Sequence, residues 1–375
     1  MKQKTKMKVA LFSVIAFIVG ILGGLSSYVL AFSPESDTLW QIAKGDLSIH
    51  FLELGNQYAG DCIYIKANDN DILIDAGSRQ NSATTIINYV NKYCTDGKLE
   101  YLIATHAHQD HIAAFPSTTT RKGIYETYDV DNIIDFGTAT KFEKGSSKTQ
   151  VYQKYVAARN AEIADGAEYF PVSDYNKENF KKVFDLGNDI TLTILDNCYY
   201  YTDSSDENNY SVCLLISQGS TNVLLTGDLE EDGEAYLADP ANNTLPECTL
   251  FKAGHHGSKT SSNDVLLNVI KPKNVVFTCC AGATEYTTNF DNTFPTKLAL
   301  ERIAKHTSNC YVTSICTNTD GELAAEEFSK FESMNGDIIF TSNKDGYYIN
   351  CTNNNTLLKD TDWCKKYRPG IQWVA

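Results

Sequence analysis

The sequence predicts a layered α/β body in which two β-sheets pack face to face. Short apolar segments of strand length recur between residues 47 and 350, and Gly, Asn and Asp separate many of them. Apolar residues at helical spacing occur between some of these segments, at residues 82–94, 150–164 and 296–306. The strand segments fall into two successive halves, which is typical of two sheets that pack against each other.

The predicted strands lie on both sides of a long mixed stretch. The first half contains strand segments at residues 47–54, 61–67, 71–75 and 99–104. The mixed stretch, residues 112–209, adds a strand at residues 190–195 and is expected to wall the pocket. The second half contains the remaining predicted strands, at residues 212–217, 222–226, 250–252, 274–278, 311–315, 337–341 and 346–350.

Composition and charge indicate a globular protein with an acidic surface. The chain has 375 residues, of which 42% are hydrophobic and 21% charged, and this excludes a wholly disordered protein. Its 32 basic and 47 acidic residues give a net charge of −15, so the overall field repels long polyanions. We therefore predict no strong nucleic-acid footprint and a small-molecule or otherwise short substrate. The composition does not indicate an oligomeric state.

A membrane signal is predicted at the N-terminus. Residues 9–32 are apolar and uncharged, and they follow four lysines, Lys2, Lys4, Lys6 and Lys8. A helix of about 20 apolar residues spans a bilayer, and flanking lysines favour the cytoplasmic side. The sequence therefore predicts a single-pass cell-membrane protein with an extracellular body, or a secreted protein if a signal peptide is cleaved near residues 29–31. The predicted units are a signal-anchor or signal peptide, a linker, a main domain and a C-terminal tail, at residues 1–32, 33–46, 47–350 and 351–375.

The eleven cysteines do not indicate a zinc ribbon, because they form no CxxC pair and no Cys/His finger spacing. The odd number leaves at least one thiol free or paired between chains, unless several are buried as small apolar residues. Cys62, Cys213 and Cys279 lie in apolar strand segments and are predicted to belong to the core.

Three histidines and an aspartate directly follow the predicted strand at residues 99–104. They are His106, His108, Asp110 and His111, in a chain with only seven histidines. Imidazole and carboxylate are ligands that zinc, iron and manganese accept, and an HxHxDH segment at a strand-to-helix turn can direct two side chains at each of two metals. We predict that all four side chains bind metal.

Three other strand ends carry candidate residues. Asp228 follows residues 222–226 in a Gly-Asp turn, where its carboxylate can bridge two cations. His255 and His256 follow residues 250–252, and one of them is predicted to bind metal, although the sequence does not decide which. Asp75 is predicted to orient a ligating histidine by accepting its spare N–H, with a turn-capping role as the alternative.

These segments, LIDAG, THAHQDH, LLTGD and GHHGS in this order, resemble the metallo-β-lactamase superfamily. More narrowly, residues 51–55, 60–61, 208–212 and 252–258 are similar to the hydrolase domain of the ComEC family of DNA-uptake proteins. The resemblance implies a four-layer αββα sandwich with the metals at one edge. It implies one or two divalent ions, zinc first, with manganese or iron as alternatives. It also implies phosphodiesterase-like or nuclease-like chemistry.

The sequence departs from the superfamily pattern at two places. Many members supply a further histidine ahead of the Thr226-Gly227-Asp228 turn, where this chain offers Asp203, Asp206, Asn208, Asn209 and Ser211, so one metal site is expected to be weak or empty. Related domains also often carry a histidine beside the proline at Pro295, where this chain has Phe294. Tyr286, Ser258 and Lys259 are candidate substitutes that contact substrate.

The sequence predicts metal-assisted hydrolysis outside the membrane, through a metal-bound hydroxide. Asp110 and His111 are the predicted catalytic residues, with Asp110 as the base that orients the nucleophile. A phosphodiester substrate is favoured. Two alternatives stay open: carbon–nitrogen or thioester hydrolysis of the β-lactamase or glyoxalase type, and a non-catalytic, membrane-tethered binding module with the same fold.

Overall fold

Two eight-stranded sheets form the centre of the molecule. The structure is a computed structural model, and it describes residues 46–137, 147–287, 289–316, 331–343 and 345–374. The predicted signal segment, residues 1–32, lies outside the described residues, as does most of the linker. In the part of the chain that is described, no helix is both long and apolar enough to cross a bilayer.

The first sheet has the strand order β16-β15-β1-β2-β3-β4-β5-β6. Its strands β3 to β6 run parallel, and the other pairs are antiparallel. The strands are β1 Leu47–Phe51, β2 Ile63–Ala67, β3 Asn70–Ile74, β4 Lys98–Ala104, β5 Asp129–Asp135, β6 Glu168–Pro171, β15 Ile338–Asn343 and β16 Gly346–Cys351.

The second sheet has the strand order β14-β13-β12-β11-β10-β9-β8-β7. Its strands β10 to β13 run parallel, so each sheet has a parallel half. The strands are β7 Val183–Gly187, β8 Ile190–Ile194, β9 Leu214–Gln218, β10 Thr221–Leu225, β11 Leu250–Lys252, β12 Asn274–Ala281, β13 Cys310–Cys316 and β14 Phe331–Ser333.

Helices cover the outer face of each sheet. They are α1 Ser82–Val90, α2 Gln109–Ile112, α3 Ile124–Thr127, α4 Ser147–Asp165, α5 Glu231–Ala238, α6 Asp264–Ile270, α7 Lys297–Ile303 and α8 Asp362–Tyr367. Three apolar clusters separate the resulting layers. One lies between the sheets, one joins the first sheet to α1, α3 and α4, and one joins the second sheet to α5, α6, α7 and α8. The predicted αββα sandwich is therefore confirmed.

The buried positions explain why the strands read as nearly continuous apolar runs. Residues on one face, such as Ile49 and Val223, are buried between the sheets, and residues on the other face, such as Leu73 and Phe251, are buried under helices. Strands buried on both faces lose the alternation of apolar and polar residues. The tail also contributes, because Trp363 and Ile371 belong to the outer cluster of the second sheet.

The cysteines and the remaining histidines serve this packing. All eleven cysteines are free thiols, and ten of them are buried, including Cys62, Cys213 and Cys279. His50 is fully buried between Ser48 and Tyr89, 2.6 and 2.7 Å from their oxygens, and burial lowers its pKa to about 3. It therefore stays neutral as part of the core.

Candidate metal centre

The predicted chemical groups converge where the parallel strands of both sheets end. In the first sheet, Asp75 follows β3 and the segment from His106 to His111 follows β4. In the second sheet, Asp228 follows β10 and the two histidines follow β11. The carboxyl ends of neighbouring parallel strands lie at one edge of a sheet, so the face-to-face packing brings both sets of loops together.

Four side chains form a compact cluster at this edge. His111 Nε2 lies 3.1 Å and His256 Nε2 lies 3.4 Å from Asp228 Oδ2, and His256 Nε2 also lies 3.6 Å from Asp110 Oδ2. One ligand atom from each of the four residues lies within 4.8 Å of all the others. The predicted convergence of distant motif segments is therefore present.

Two buried polar atoms of this cluster indicate whether a cation fits between its side chains. His256 Nε2 and Asp228 Oδ1 are fully buried and, within the described residues, form no hydrogen bond. A buried polar atom without a partner is costly, unless a ligand supplies the missing interaction. The donor set of imidazole nitrogens and carboxylate oxygens therefore fits a divalent cation.

The other two histidines of the HxHxDH segment lie beside the cluster. His106 Nε2 is 3.1 Å from His108 Nδ1 and 3.9 Å from Asp228 Oδ2. Ser211 lies behind them, with its Oγ 3.4 Å from His106 Nδ1, and it accepts a 3.0 Å hydrogen bond from the Asp228 amide. Of the residues that the sequence offers ahead of the Thr226-Gly227-Asp228 turn, Ser211 therefore contacts the cluster, through its hydroxyl.

Asp75 makes the contact that the sequence predicted. Its Oδ2 lies 2.7 Å from His111 Nδ1. Its two oxygens also accept hydrogen bonds of 2.8 and 2.7 Å from the amide and hydroxyl of Thr105. These bonds fix the carboxylate, so the His111 ring presents Nε2 to Asp228. Asp75 itself has a left-handed backbone, with φ 59°, which forms the turn after β3.

Sequence reasoning missed a buried pair beneath the cluster, Asp61 and Lys252. Lys252 Nζ lies 2.5 Å from Asp61 Oδ2 and 3.8 Å from Asp228 Oδ1, and both side chains are almost inaccessible. Asp61 Oδ1 lies 3.2 Å from His256 Nδ1 and accepts a hydrogen bond from the Thr278 hydroxyl. The pair therefore orients His256 and places a fixed positive charge behind Asp228. The only sequence signal was its position in the segments Gly60-Asp61 and Lys252-Ala253-Gly254.

The backbone distinguishes the two adjacent histidines. Both adopt left-handed conformations, with φ 49° at His255 and 54° at His256, which is uncommon for residues other than glycine. As a result His256 points into the cluster and is fully buried, whereas His255 faces the pocket with 20% of its side chain exposed. The turn continues through Gly257, which has φ +85°. It requires glycine at this position, because a Cβ would lie 2.7 Å from the Pro295 side chain.

The buried charges shift the pKa values of the cluster in a consistent way. Burial alone would raise the pKa of Asp228, but His111 and His256 outweigh it and hold this pKa well below its usual range. Burial alone would lower the pKa of both histidines, but Asp228 raises them well above 6.5, helped by Asp75 at His111 and by Asp61 at His256. Without a metal, protons on these rings balance the carboxylates. A cation would replace those protons.

A pocket of about 260 Å³ opens onto the cluster. Its lining consists of Arg79, His108, Gln109, Asp110, His255, Glu285 and Tyr286. Arg79 lies 2.7 Å from Glu285 and stacks over the Tyr58 ring, and the Tyr286 hydroxyl donates a 3.2 Å hydrogen bond to Asp110 Oδ2. Tyr286, predicted to contact substrate, therefore lies at the pocket. Arg79 and Glu285 were not predicted, because no motif marks them.

Three other predicted residues make their contacts outside the cluster. Asn209 Oδ1 accepts a hydrogen bond from the Glu230 amide, and the Ser258 hydroxyl is 3.0 Å from that of Thr260. Lys259 is exposed, and its carbonyl accepts a hydrogen bond from Arg302. We therefore assign the first two to loop structure near the site and do not place Lys259 in the pocket lining.

Comparisons with known proteins agree with this geometry. Residues 55–187 match the family model of the metallo-beta-lactamase superfamily. Recombination protein 2 of Haemophilus influenzae is 39% identical over 66 residues, which cover 18% of this chain and 8% of that protein. ComE operon protein 3 of Bacillus subtilis is 34% identical over 74 residues, which cover 20% of this chain and 9% of that protein. The matched segments therefore span only a small part of these relatives.

The solved structures that resemble this chain are distant from it in sequence. The metallo-beta-lactamase fold protein YhfI of Bacillus subtilis is 13% identical, with a TM-score of 0.39 over 76% of this chain and 99% of that one. The diiron beta-hydroxylase CmlA of Streptomyces venezuelae is 10% identical, with a TM-score of 0.38 over 78% of this chain and 55% of that one. This chain therefore contains a metallo-β-lactamase domain, matched over residues 55–187, and is similar over short segments to ComEC-type competence proteins.

Proposed function

We propose that this chain is a divalent-metal-dependent phosphodiesterase that acts on small or short phosphodiester substrates. The observation that carries the proposal is the convergence of Asp110, His111, Asp228 and His256 within 4.8 Å, beside a pocket that Asp110 also lines. The match to the metallo-β-lactamase superfamily supports metal-dependent hydrolysis. The names of the relatives refer to competence and recombination, which favours a phosphodiester over an amide or a thioester.

The four clustered side chains would hold one cation. His106 and His108 would hold a second with Asp228, and more weakly, because the segment ahead of Thr226 brings the Ser211 hydroxyl, and no histidine, next to His106. Zinc is the first choice for this set of nitrogen and oxygen ligands, with manganese and iron as alternatives. When bound, a cation of this kind lowers the pKa of a coordinated water to about 7 and offsets charge on the attacked phosphoryl group.

Three residues of the pocket lining then have roles in catalysis or substrate binding. Asp110 lies between His256 and Tyr286, so its carboxylate can orient a nucleophilic water and accept its proton. His255 faces the pocket, with Nε2 3.8 Å from Asp228 Oδ2, and can donate a proton to the leaving oxygen. Arg79 carries a positive charge in the lining and can contact a substrate phosphate.

The size and charge of the molecule support a short substrate. A pocket of about 260 Å³ is near the lower end of ligand sites and suits one phosphodiester group with its neighbouring atoms. A net charge of −15 opposes binding of long polyanions elsewhere on the surface.

We further propose that the lysine-flanked apolar segment anchors the enzyme in the cell membrane with the pocket outside, or is cleaved to release it.

The proposal is tested by metal-dependent turnover and its loss in single variants. Purified protein reconstituted with zinc or manganese is assayed on bis-p-nitrophenyl phosphate, a short single-stranded oligonucleotide and nitrocefin. We expect hydrolysis of the phosphodiesters, loss of turnover in Asp110→Ala and His108→Ala, and wild-type turnover in His306→Ala, a histidine outside the cluster. Hydrolysis of nitrocefin alone, or unchanged activity in Asp110→Ala, would refute the proposal. A folded, metal-loaded protein inactive on every substrate would favour the binding module.

A further inference from the structure

The loop that forms one wall of the pocket rests on the C-terminal helix. This wall loop, residues 282–287 and 289–296 as described, connects β12 to α7 and supplies Glu285 and Tyr286 to the pocket. It also places the Phe294 ring 5.7 Å from the His255 ring and 5.9 Å from the His256 ring, measured between centroids. The position of the loop therefore affects both the pocket wall and the histidine pair.

Helix α8 contacts the wall loop at its start and in its middle. At the start, Gly282 has φ +87° and approaches Trp363 so closely that a Cβ would lie 2.6 Å from the indole nitrogen. In the middle of the loop, the Phe290 ring lies 4.6 Å from the Tyr367 ring. A larger side chain at Gly282 or the loss of either aromatic ring would therefore shift the loop.

Arg368, directly after α8, makes the most extensive contact with the loop. Its side chain is 2% exposed. Its Nη2 donates to the carbonyl oxygens of Phe290 and Thr293 at 3.1 and 2.9 Å, and its Nε donates to the carbonyl oxygen of Pro295 at 3.2 Å. The Thr293 hydroxyl oxygen lies 2.9 Å from the same Nη2. A planar guanidinium with several fixed donors can satisfy this set of acceptors, and an ammonium group can satisfy only part of it.

We propose that Arg368 and Trp363 are positioning residues of the pocket. They hold the wall loop so that Tyr286 lies over Asp110 and Phe294 supports the turn of His255 and His256. Both side chains lie behind the loop, and the pocket lining consists of other residues. The C-terminal segment is thus a functional part of the site. The measurement of activity described below rests on the proposed function, whereas the measurement of hydrogen exchange does not.

The test compares three variants of the full chain: Arg368→Ala, Arg368→Lys and, as control, Lys365→Ala on the exposed face of α8. Misplacement of pocket groups by about 1 Å can cost about 100-fold, so we expect Arg368→Ala to lose about 10- to 100-fold in kcat/KM, chiefly through KM. Arg368→Lys should be intermediate, and Lys365→Ala should equal the wild type. Free guanidinium at a non-denaturing concentration should restore activity in Arg368→Ala alone, and metal content should stay at the wild-type level.

Hydrogen exchange of the metal-free proteins, followed by mass spectrometry, provides the independent readout. Faster exchange in residues 282–296 of Arg368→Ala, with residues 61–75 unchanged, supports the proposal even if the wild type hydrolyses no phosphodiester. Wild-type exchange together with wild-type KM in Arg368→Ala would overturn it. If Arg368→Ala does not fold, Arg368→Lys decides: wild-type KM and exchange in that variant also overturn it.

Discussion

Replacing Lys252 with methionine tests how the buried charges of the metal centre are balanced. The side chains of Lys252 and Asp61 are 1% and 2% exposed and 2.5 Å apart. Methionine keeps most of the volume but removes the cation nearest to Asp61, which is then left with the rings of His256 and His111. Removing one partner of a buried ion pair typically costs about 3–5 kcal/mol, because the other charge stays desolvated and unpaired. We expect a loss of this size in the free energy of unfolding of the metal-free protein.

The assay is urea unfolding with and without saturating zinc, with Lys271→Met as control. Lys271 lies 2.8 Å from Glu247, but both side chains are more than half exposed, so its loss should cost at most about 1 kcal/mol. Zinc should reduce the cost of Lys252→Met, because the cation supplies positive charge beside Asp228. The double variant Lys252→Met/Asp61→Asn should recover part of the loss. A cost for Lys252→Met no larger than the control, in metal-free protein, would refute this reasoning.

Three further predictions concern the same centre. The pKa values of His111 and His256 lie well above 6.5 in the metal-free protein. The stability that their protonation contributes is therefore complete below about pH 6.5 and is lost as the pH rises through the pKa values of the folded state. We expect Tm in EDTA to fall above about pH 6.5 and zinc to abolish that fall. A Tm in EDTA that rises over this interval would contradict the assignment. Asp75→Asn should weaken zinc binding about 10- to 100-fold by titration, because it loosens His111, whereas the exposed Asp264→Asn should not. Tyr286→Ala should raise KM about tenfold. Tyr286→Phe should raise KM less, because the ring stays and only the hydrogen bond to Asp110 is lost. Equal KM values in the wild type and both variants would exclude a substrate contact.

The sequence predicted most of the fold and of the cluster because both leave local patterns. Strands such as β4 and β10 are apolar runs that end at polar residues, and these ends carry His106, His111 and Asp228. Strand β5 was missed because Asp129, Asp131 and Asn132 interrupt its apolar pattern, although its second half is buried. Helices α5 and α6 were missed because they are short, at eight and seven residues.

The supporting residues of the site could not be predicted because their contacts join distant parts of the chain. Lys252 and Asp61 are 191 positions apart, and a lysine at a strand end is ordinarily read as exposed. Arg368 lies in a tail that was expected to stand outside the main domain. The choice between His255 and His256 depends on two left-handed backbone angles, which no sequence pattern reveals.

Metal content measured by mass spectrometry on wild type, His256→Ala and His255→Ala tests the central claim most directly. We predict at least one zinc, manganese or iron per wild-type chain, loss of most of it in His256→Ala, and retention in His255→Ala, since only His256 is buried in the ligand cluster. A folded wild-type protein that binds no divalent metal, or a loss confined to His255→Ala, would contradict the account.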